Sequence, residues 1–253
     1  MRGPEPSSNT ERKPFVVVAA MREELFGIVR SLERPGSSPI RGCRTHSGRL
    51  LGRSVVVACT GDGAQAATRG LGRVLESQSC RAVVVIGVAG GLSPDLECGD
   101  VVVCSEVEAE DGSVVEMDPD LIAQARRYPP IKIGSTVSAE HVAVTETDKR
   151  CLWLKHGSRP NQVVDLESVA LSTVAQSFGL PCLVIRFVSD GPNERLPIDF
   201  NRFRNSDGGI DRARVLRQVI RRPHLMPELL RLRNRVRSGA LELVHVVREV
   251  VAS

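Results

Sequence analysis

The sequence predicts one α/β domain in three layers, with helices on both faces of a twisted, mixed and largely parallel sheet. Two features carry that expectation. Several runs are apolar at every position rather than at alternate ones, which suits strands covered on both faces. Segments of helical periodicity lie between those runs, and strand alternating with helix is the order of a mostly parallel sheet. At 253 residues, 42% of them hydrophobic, the chain is long enough for one large domain and needs no second.

Residues 1–13 mix Pro, Ser, Asn and charge, with too little apolar surface to offset the entropy of ordering them, and are predicted as a disordered tail. The domain then spans residues 14–253. Its first strand is the run from Phe15 to Ala20, and Ala20-Met21-Arg22-Glu23-Glu24 leads into a helix from Glu23 to Leu32. The two acids at that helix start complement its dipole, which alone would explain them. A second strand, Ser54 to Cys59, ends in Thr60-Gly61-Asp62-Gly63, and a helix from Ala64 to Glu76 follows. The glycines there expose backbone N–H groups to an anion or polar ligand, but the third glycine of a dinucleotide fingerprint is missing.

The third strand, Ala82 to Val88, runs into Gly87-Val88-Ala89-Gly90-Gly91-Leu92, where glycines let a flat ligand approach the backbone. Val101 to Cys104 is a fourth. Val164-Asp165-Leu166-Glu167-Ser168 is a short apolar segment ending in a carboxylate that opens a helix, Ser168 to Phe178, closed by Gly179 and Pro181. The last strand, Cys182 to Val188, is followed directly by Ser189 and Asp190. A helix-start acid and a strand-end Asp each have a plain structural reading. Glu167 and Asp190 gain weight because they flank one helix–strand unit and could meet at the same rim.

From about residue 210 to 253 the chain changes character: Arg212 to Arg237 is strongly basic, Arg221-Arg222-Pro223 divides two helical patterns, and Leu229, Leu230, Leu232 and Val236 form a helical stripe. The plain reading is a terminal helix packed on the domain. The sharper one is contact with a membrane surface or a lipid-bearing substrate.

Composition narrows the function. The net charge of +4 is spread along most of the chain and aromatics make up 3%, so nucleic-acid binding gains little support and base stacking on several rings is not easily built. The seven cysteines show no CxxC spacing and several lie in apolar runs, which predicts buried free thiols. The five histidines are scattered without helical ligand spacing, so nothing points to a metal or another cofactor. No elbow sequence supports a Ser/His/Asp triad. The N-terminus has no apolar leader and no stretch of 18 apolar residues occurs, which places the expectation in the cytoplasm.

Taken in order, Ala20-Met21-Arg22-Glu23-Glu24, Thr60-Gly61-Asp62-Gly63, Gly87-Val88-Ala89-Gly90-Gly91-Leu92, Gly99-Asp100-Val101-Val102, Val164-Asp165-Leu166-Glu167-Ser168 and Arg186-Phe187-Val188-Ser189-Asp190 resemble the purine and uridine phosphorylase superfamily. Within it they look most like the 5′-methylthioadenosine/S-adenosylhomocysteine nucleosidase branch. His141-Val142-Ala143-Val144-Thr145 with Lys149, and Val215-Leu216-Arg217 through Arg221-Arg222-Pro223 to Leu229-Leu230-Arg231-Leu232, are similar to the hopanoid-associated nucleosidase/phosphorylase.

The resemblance implies a nucleoside phosphorylase-like fold and an N-ribosidase that releases adenine from a 5′-substituted adenosine. The first substrate it suggests is adenosylhopane, giving ribosylhopane in hopanoid synthesis. The alternatives are methylthioadenosine or S-adenosylhomocysteine, or a phosphorolytic purine nucleoside phosphorylase. It also implies a homodimer and, for a lipid-linked nucleoside, contact with the inner face of the membrane.

Residue by residue, Asp190 matches the general acid that protonates N7 of the leaving purine, a task that needs a carboxyl able to hold its proton. Glu167 matches the carboxylate that holds the ribose hydroxyls as the ring becomes oxocarbenium-like. Glu24 matches the acid that activates water. The implied binding residues are Ser189, which holds Asp190, together with Gly90, Val142, Ala143, Leu166 and Met21. The family usually stacks an aromatic ring on the base, and here that position is Val142, which weakens stacking.

Phosphorylases of the superfamily place an Arg and a Ser in the segment matching Val85 to Val88, where this chain is apolar, so hydrolysis is expected. Arg22 and the amides around Gly61 and Gly63 could still hold phosphate. A nucleoside-binding protein that has lost catalysis is the non-enzyme alternative, and retention of all three acids argues against it.

Overall fold

A computed structural model describes residues 13–37, 40, 43–205 and 209–252. The expected N-terminal tail, Lys13 apart, lies outside the described residues. The elements are β1 (Phe15–Ala19), α1 (Arg22–Ser31), β2 (Glu33–Ser37), β3 (Arg44–Leu50), β4 (Arg53–Cys59), α2 (Ala64–Ser77), β5 (Ala82–Gly91) and β6 (Val101–Ala109). There follow β7 (Val114–Glu116), α3 (Pro119–Ala125), β8 (Ile131–Ser138), α4 (Glu146–Lys155), β9 (Gln162–Asp165), α5 (Ser168–Ser177), β10 (Cys182–Asp190), α6 (Arg212–Arg221) and α7 (Met226–Ala252).

Each fully apolar run became a strand. Burial explains why: β1 and β10 are buried at every position, as the absence of alternation requires. The strands form one sheet in the order β10-β6-β8-β9-β5-β1-β4-β3-β2. Its centre, β4-β1-β5-β10, is parallel, as expected. Antiparallel pairing enters at the flanks, through β2–β3–β4, β5–β9, β6–β7 and β6–β10, and makes the sheet mixed.

Because β5 pairs with both β10 and β9, the path β5–β10–β6–β8–β9 returns to β5 and this part of the sheet closes on itself. Closure is made at Gly90, which faces Val164 of β9 and Asp190 of β10. The register of β10 slips by one residue between Val188 and Asp190, leaving Ser189 as a bulge. That bulge re-aims the end of β10, where the last two predicted site residues of this strand sit.

Helices α1 and α3 pack with α7, and α2 packs with α5. The second half of α7, from Gly239 to Val251, is largely buried against the domain, C-terminal to the predicted stripe, whose Leu229, Leu232 and Val236 are only half-buried. Its approach to α1 is close enough that a Cβ on Gly27 would overlap the Ala240 carbonyl. The first half of α7 and most of α6 behave differently, although Val219 of α6 is buried. Leu216 and Ile220 stand 58% and 68% exposed, and Leu230 is exposed as well. Arg221-Arg222-Pro223 does separate two helices, as its sequence predicts. The seven cysteines are free thiols. Among the described residues no helix is long and apolar enough to cross a membrane.

Candidate functional site

The carboxyl ends of β1, β4, β5, β9 and β10 border one cavity of about 260 Å³, mostly apolar with a few convergent acids. All nine residues singled out from the sequence line it: Met21, Glu24, Gly90, Val142, Ala143, Leu166, Glu167, Ser189 and Asp190.

Glu24 is buried in the third position of α1, and its carboxylate turns inward instead of serving only the helix start. One oxygen accepts from Met21 N at 2.8 Å and the other from Val88 N at 2.9 Å. Two amides do not repay the loss of water. Burial pushes the Glu24 carboxyl up to about 7, against the opposing pull of Arg186 and the two amides.

Glu167 occupies the N-cap position of α5 but does not cap it. Asp165 does that work, its Oδ1 accepting from Glu167 N at 3.2 Å and Ser168 N at 3.1 Å. The Glu167 side chain reaches instead to Gly63 N, 2.8 Å away, so its helix-start explanation falls and its place in the cavity stands. Burial, reinforced by the nearby Asp165 charge, raises the Glu167 carboxyl to about 7 as well.

Arg186, quoted in a motif but given no task from sequence, ties these acids together. Its Nε donates to Asp165 Oδ2 at 2.8 Å and its Nη2 to Ser168 Oγ at 2.7 Å. Asp165 also accepts from Ser138 at 2.7 Å and Thr136 at 3.2 Å. For Asp165 burial raises the carboxyl, but Arg186 and the serine donors outweigh it and hold it below its usual range. The strand-neighbour of Arg186 is Gly87, where a Cβ would overlap both the guanidinium and the Glu24 carboxylate. Thus the missing Cβ of Gly87 leaves both side chains their room. A lone charge inside the apolar run Cys182 to Val188 was the available signal for Arg186.

At the other end, Ser189 Oγ donates to Asp190 Oδ1 at 2.6 Å and Lys149 Nζ to Asp190 Oδ2 at 2.5 Å. Asp190 is only 5% exposed but touches the cavity. Both backbone groups of Val142 are paired with the Asn201 amide at 2.9 Å. Among the described residues no hydrogen bond engages the amide or carbonyl of neighbouring Ala143, which leaves that residue to read a ligand edge. Besides residues at the strand ends, the wall includes Leu196, Phe200, Ile210, Leu232 and Val236, supplied by the segment after β10 and by α7. Sequence pattern had put Leu232 and Val236 on a helical stripe without assigning them here.

The anion cradle expected near Gly61 and Gly63 is already filled. Gly61 N donates to Ala20 O at 3.1 Å and Gly63 N to Glu167. Among the described residues there is no group of three or more His, Cys, Asp or Glu placed to hold a metal ion.

Comparison with known proteins agrees with this geometry. The family model of the phosphorylase superfamily matches residues 14–221. A 5′-methylthioadenosine/S-adenosylhomocysteine nucleosidase of Shewanella pealeana is 27% identical over 208 residues, 74% of this chain and 90% of that protein. One from Chromohalobacter salexigens is 29% identical over 212 residues, 76% of this chain and 90% of its own. Among solved structures, the Helicobacter pylori nucleosidase of that name, in complex with a substituted pyrrolidin-3-ol, superposes with a TM-score of 0.74 at 18% identity, covering 95% of this chain and 98% of that one. The native futalosine hydrolase structure from the same organism gives the same TM-score, identity and coverage. At such identities the structural likeness speaks for the fold.

Proposed function

Because the chain belongs to the phosphorylase superfamily, we propose that its cavity takes a 5′-substituted adenosine and hydrolyses the bond between ribose and adenine. This is the activity in the names of its curated relatives, the 5′-methylthioadenosine/S-adenosylhomocysteine nucleosidases. The observation that carries the reading is the convergence of Glu24, Glu167 and Asp190 on one small apolar cavity.

Asp190 gives its proton to N7, so that the electron pair of the C1′–N9 bond leaves on a neutral purine rather than an anion. Glu167 accepts from the ribose hydroxyls and answers the positive charge growing on the sugar. Water adds its oxygen to C1′ and loses a proton to Glu24. A carboxyl near 7 is suited to that last task, since about half of it is free to accept a proton at neutral pH and it is basic enough to hold one. Each Glu24 oxygen accepts one amide, which leaves lone pairs for water.

Hydrolysis is favoured over phosphorolysis because Val85 and Val88 offer no side-chain donor and the Gly61 and Gly63 amides are engaged. Incubation with 5′-methylthioadenosine and with S-adenosylhomocysteine, with and without phosphate, should release adenine at rates indifferent to phosphate. No adenine from either substrate overturns the reading, and a rate that rises with phosphate turns it to phosphorolysis.

A second reading concerns the 5′ group. The wall of Met21, Phe200, Ile210, Leu232 and Val236 suits a bulky hydrocarbon, and adenosylhopane, yielding ribosylhopane, is the substrate of that kind. The exposed Leu216 and Ile220 beside Arg214, Arg217 and Arg221 suit an anionic bilayer that would hold such a lipid. Faster turnover of long-chain than of methylthio substrates, with flotation on anionic but not neutral liposomes, is the expected result. Equal turnover of both removes the lipid-specific version.

A further inference from the structure

Helix α4 buries one residue, and it is a lysine. Lys149 has no exposed surface, and its ammonium spends all three N–H groups: on Asp190 Oδ2 at 2.5 Å, on Gly191 O at 2.7 Å and on Glu194 O at 2.8 Å. The helix is set to deliver it. Thr145 and Asp148 form a reciprocal cap at the start of α4, with Thr145 accepting from Asp148 N and Asp148 accepting from Thr145 N, which fixes the first turn from which Lys149 points inward. Gly90 leaves the space, since a Cβ there would stand 3.3 Å from Asp190 Oδ2 and 3.6 Å from Lys149 Cε.

Burying a charge pair is a poor way to stabilise a fold, because apolar residues of the same volume usually serve as well. A function is the better account. The two Asp190 oxygens are not equivalent. Oδ2 is held by the ammonium, whose three donors have no other acceptor to turn to. Oδ1 is held by the Ser189 hydroxyl, which has a second acceptor in Ala89 O at 3.3 Å and can rotate to it. Only Oδ1 can therefore carry a proton without leaving a donor stranded.

The geometry points to Lys149 as a positioning residue for proton delivery: it pins Oδ2, leaves Oδ1 as the working oxygen, and neutralises the carboxylate that Asp190 becomes. This rests on the nucleosidase reading above. In the step, the Oδ1–H bond breaks, the N7–H bond forms and the C1′–N9 electron pair passes to the purine. The negative charge left on Asp190 appears beside an ammonium already in place and shielded from water. Ser189 swings back from Ala89 O to Oδ1. Solvent returns the proton through the cavity that Asp190 lines.

The other charged or titratable groups around Asp190 are already engaged. Arg235 donates to the Glu194 carboxylate and to Ser189 O, and the Cys98 thiol donates to Ser189 O as well.

The test is the pH dependence of kcat for adenine release from 5′-methylthioadenosine by the full chain and its Lys149→Met and Lys149→Gln variants. Removing an adjacent cation lets a carboxyl keep its proton to higher pH while making it the weaker acid, by one to three pH units for a close pair. Both variants should therefore lose about tenfold in kcat on the plateau below the alkaline limb, where the acid carries its proton in every form, with KM changed much less, and the limb itself should move up by about one pH unit or more. Gln keeps a donor for Oδ2 without the charge, so it carries the test if Met impairs folding, and thermal melting of each variant checks that.

An alkaline limb that stays in place in the folded Gln variant overturns the proposal, even if kcat falls, because a structural lysine would lower the rate at every pH alike. A wild type that releases no adenine sinks the nucleosidase reading instead. Release by the wild type with an unmoved limb sinks only the role of Lys149.

Discussion

On the roles proposed above, the sugar half of the cavity, with Glu24 and Glu167, and the base half, with Asp190, prepare their carboxylates in opposite ways. Glu24 and Glu167 have backbone amides as partners, and the guanidinium nearest them is spent on Asp165 and Ser168. Burial wins there and lifts both acids to about 7. Asp190 is as deeply placed but has Lys149 on one oxygen and Ser189 on the other. The difference follows the direction of proton flow. A group that must take a proton from water gains from desolvation, whereas beside a group that gives one up a cation stabilises the charge left behind.

The comparison breaks most sharply at Asp190. Asp190→Asn should lower adenine release by about a thousandfold or more while a non-cleavable nucleoside analogue still binds, since general acid catalysis contributes about 10²–10⁴. Equal loss of binding, read by calorimetry, would place Asp190 in recognition rather than in proton delivery.

Next is the sugar half. Both Glu24 and Glu167 hold raised carboxyls, so each is protonated below about pH 7 and charged above it. The proposed roles need both charged, and kcat/KM should accordingly fall as pH drops below about 7, more steeply than tenfold per unit. Glu24→Gln should cost about a hundredfold at pH 8, by the same scale for acid–base work, and return the acid limb to a one-proton slope. A wild-type limb near pH 4.5 would mean that water reaches these acids freely.

Gly87→Ala probes the space that Arg186 and Glu24 both use, with a smaller effect. Its Cβ overlaps both side chains, and overpacking of this kind costs about 1–3 kcal/mol, read as a lowered melting temperature. The accompanying misplacement of Glu24 should lower kcat by about tenfold, within the range that a shift of an ångström can produce.

Much of this plan was legible in the sequence, and the reason is physical. The strands β1, β4, β5, β6 and β10 announce themselves because burial on both faces leaves no room for polar alternation. The edge strand β2, Glu-Arg-Pro-Gly-Ser, is exposed throughout and carries no pattern at all. Helix α4 escaped for a related reason: its one buried residue is Lys149, so it has no apolar stripe to detect. Closure of the sheet depends on what meets at Gly90, a pairing between strands far apart in sequence. The three acids could each be found at the end of an element. That Asp165 caps α5 and frees Glu167, or that Arg186 is spent on Asp165, required the side chains in place.

The smallest predicted effect lies in the base half, at Val142. Its backbone is fixed on both sides by Asn201, so a change of side chain leaves the chain path undisturbed. Val142 lines the cavity where an aromatic ring would cover the purine face, and stacking of a base on an aromatic side chain is worth about 1–3 kcal/mol. Val142→Phe should therefore tighten substrate binding by about fivefold, toward the lower end of that range, because valine already supplies part of the contact area. The purine face is covered equally before and after N7 takes its proton, so the gain is uniform binding, which lowers KM and leaves kcat unchanged. A fall in kcat with KM unaltered would mean that the purine does not lie over Val142, and the assignment of the two halves of the cavity would have to be exchanged.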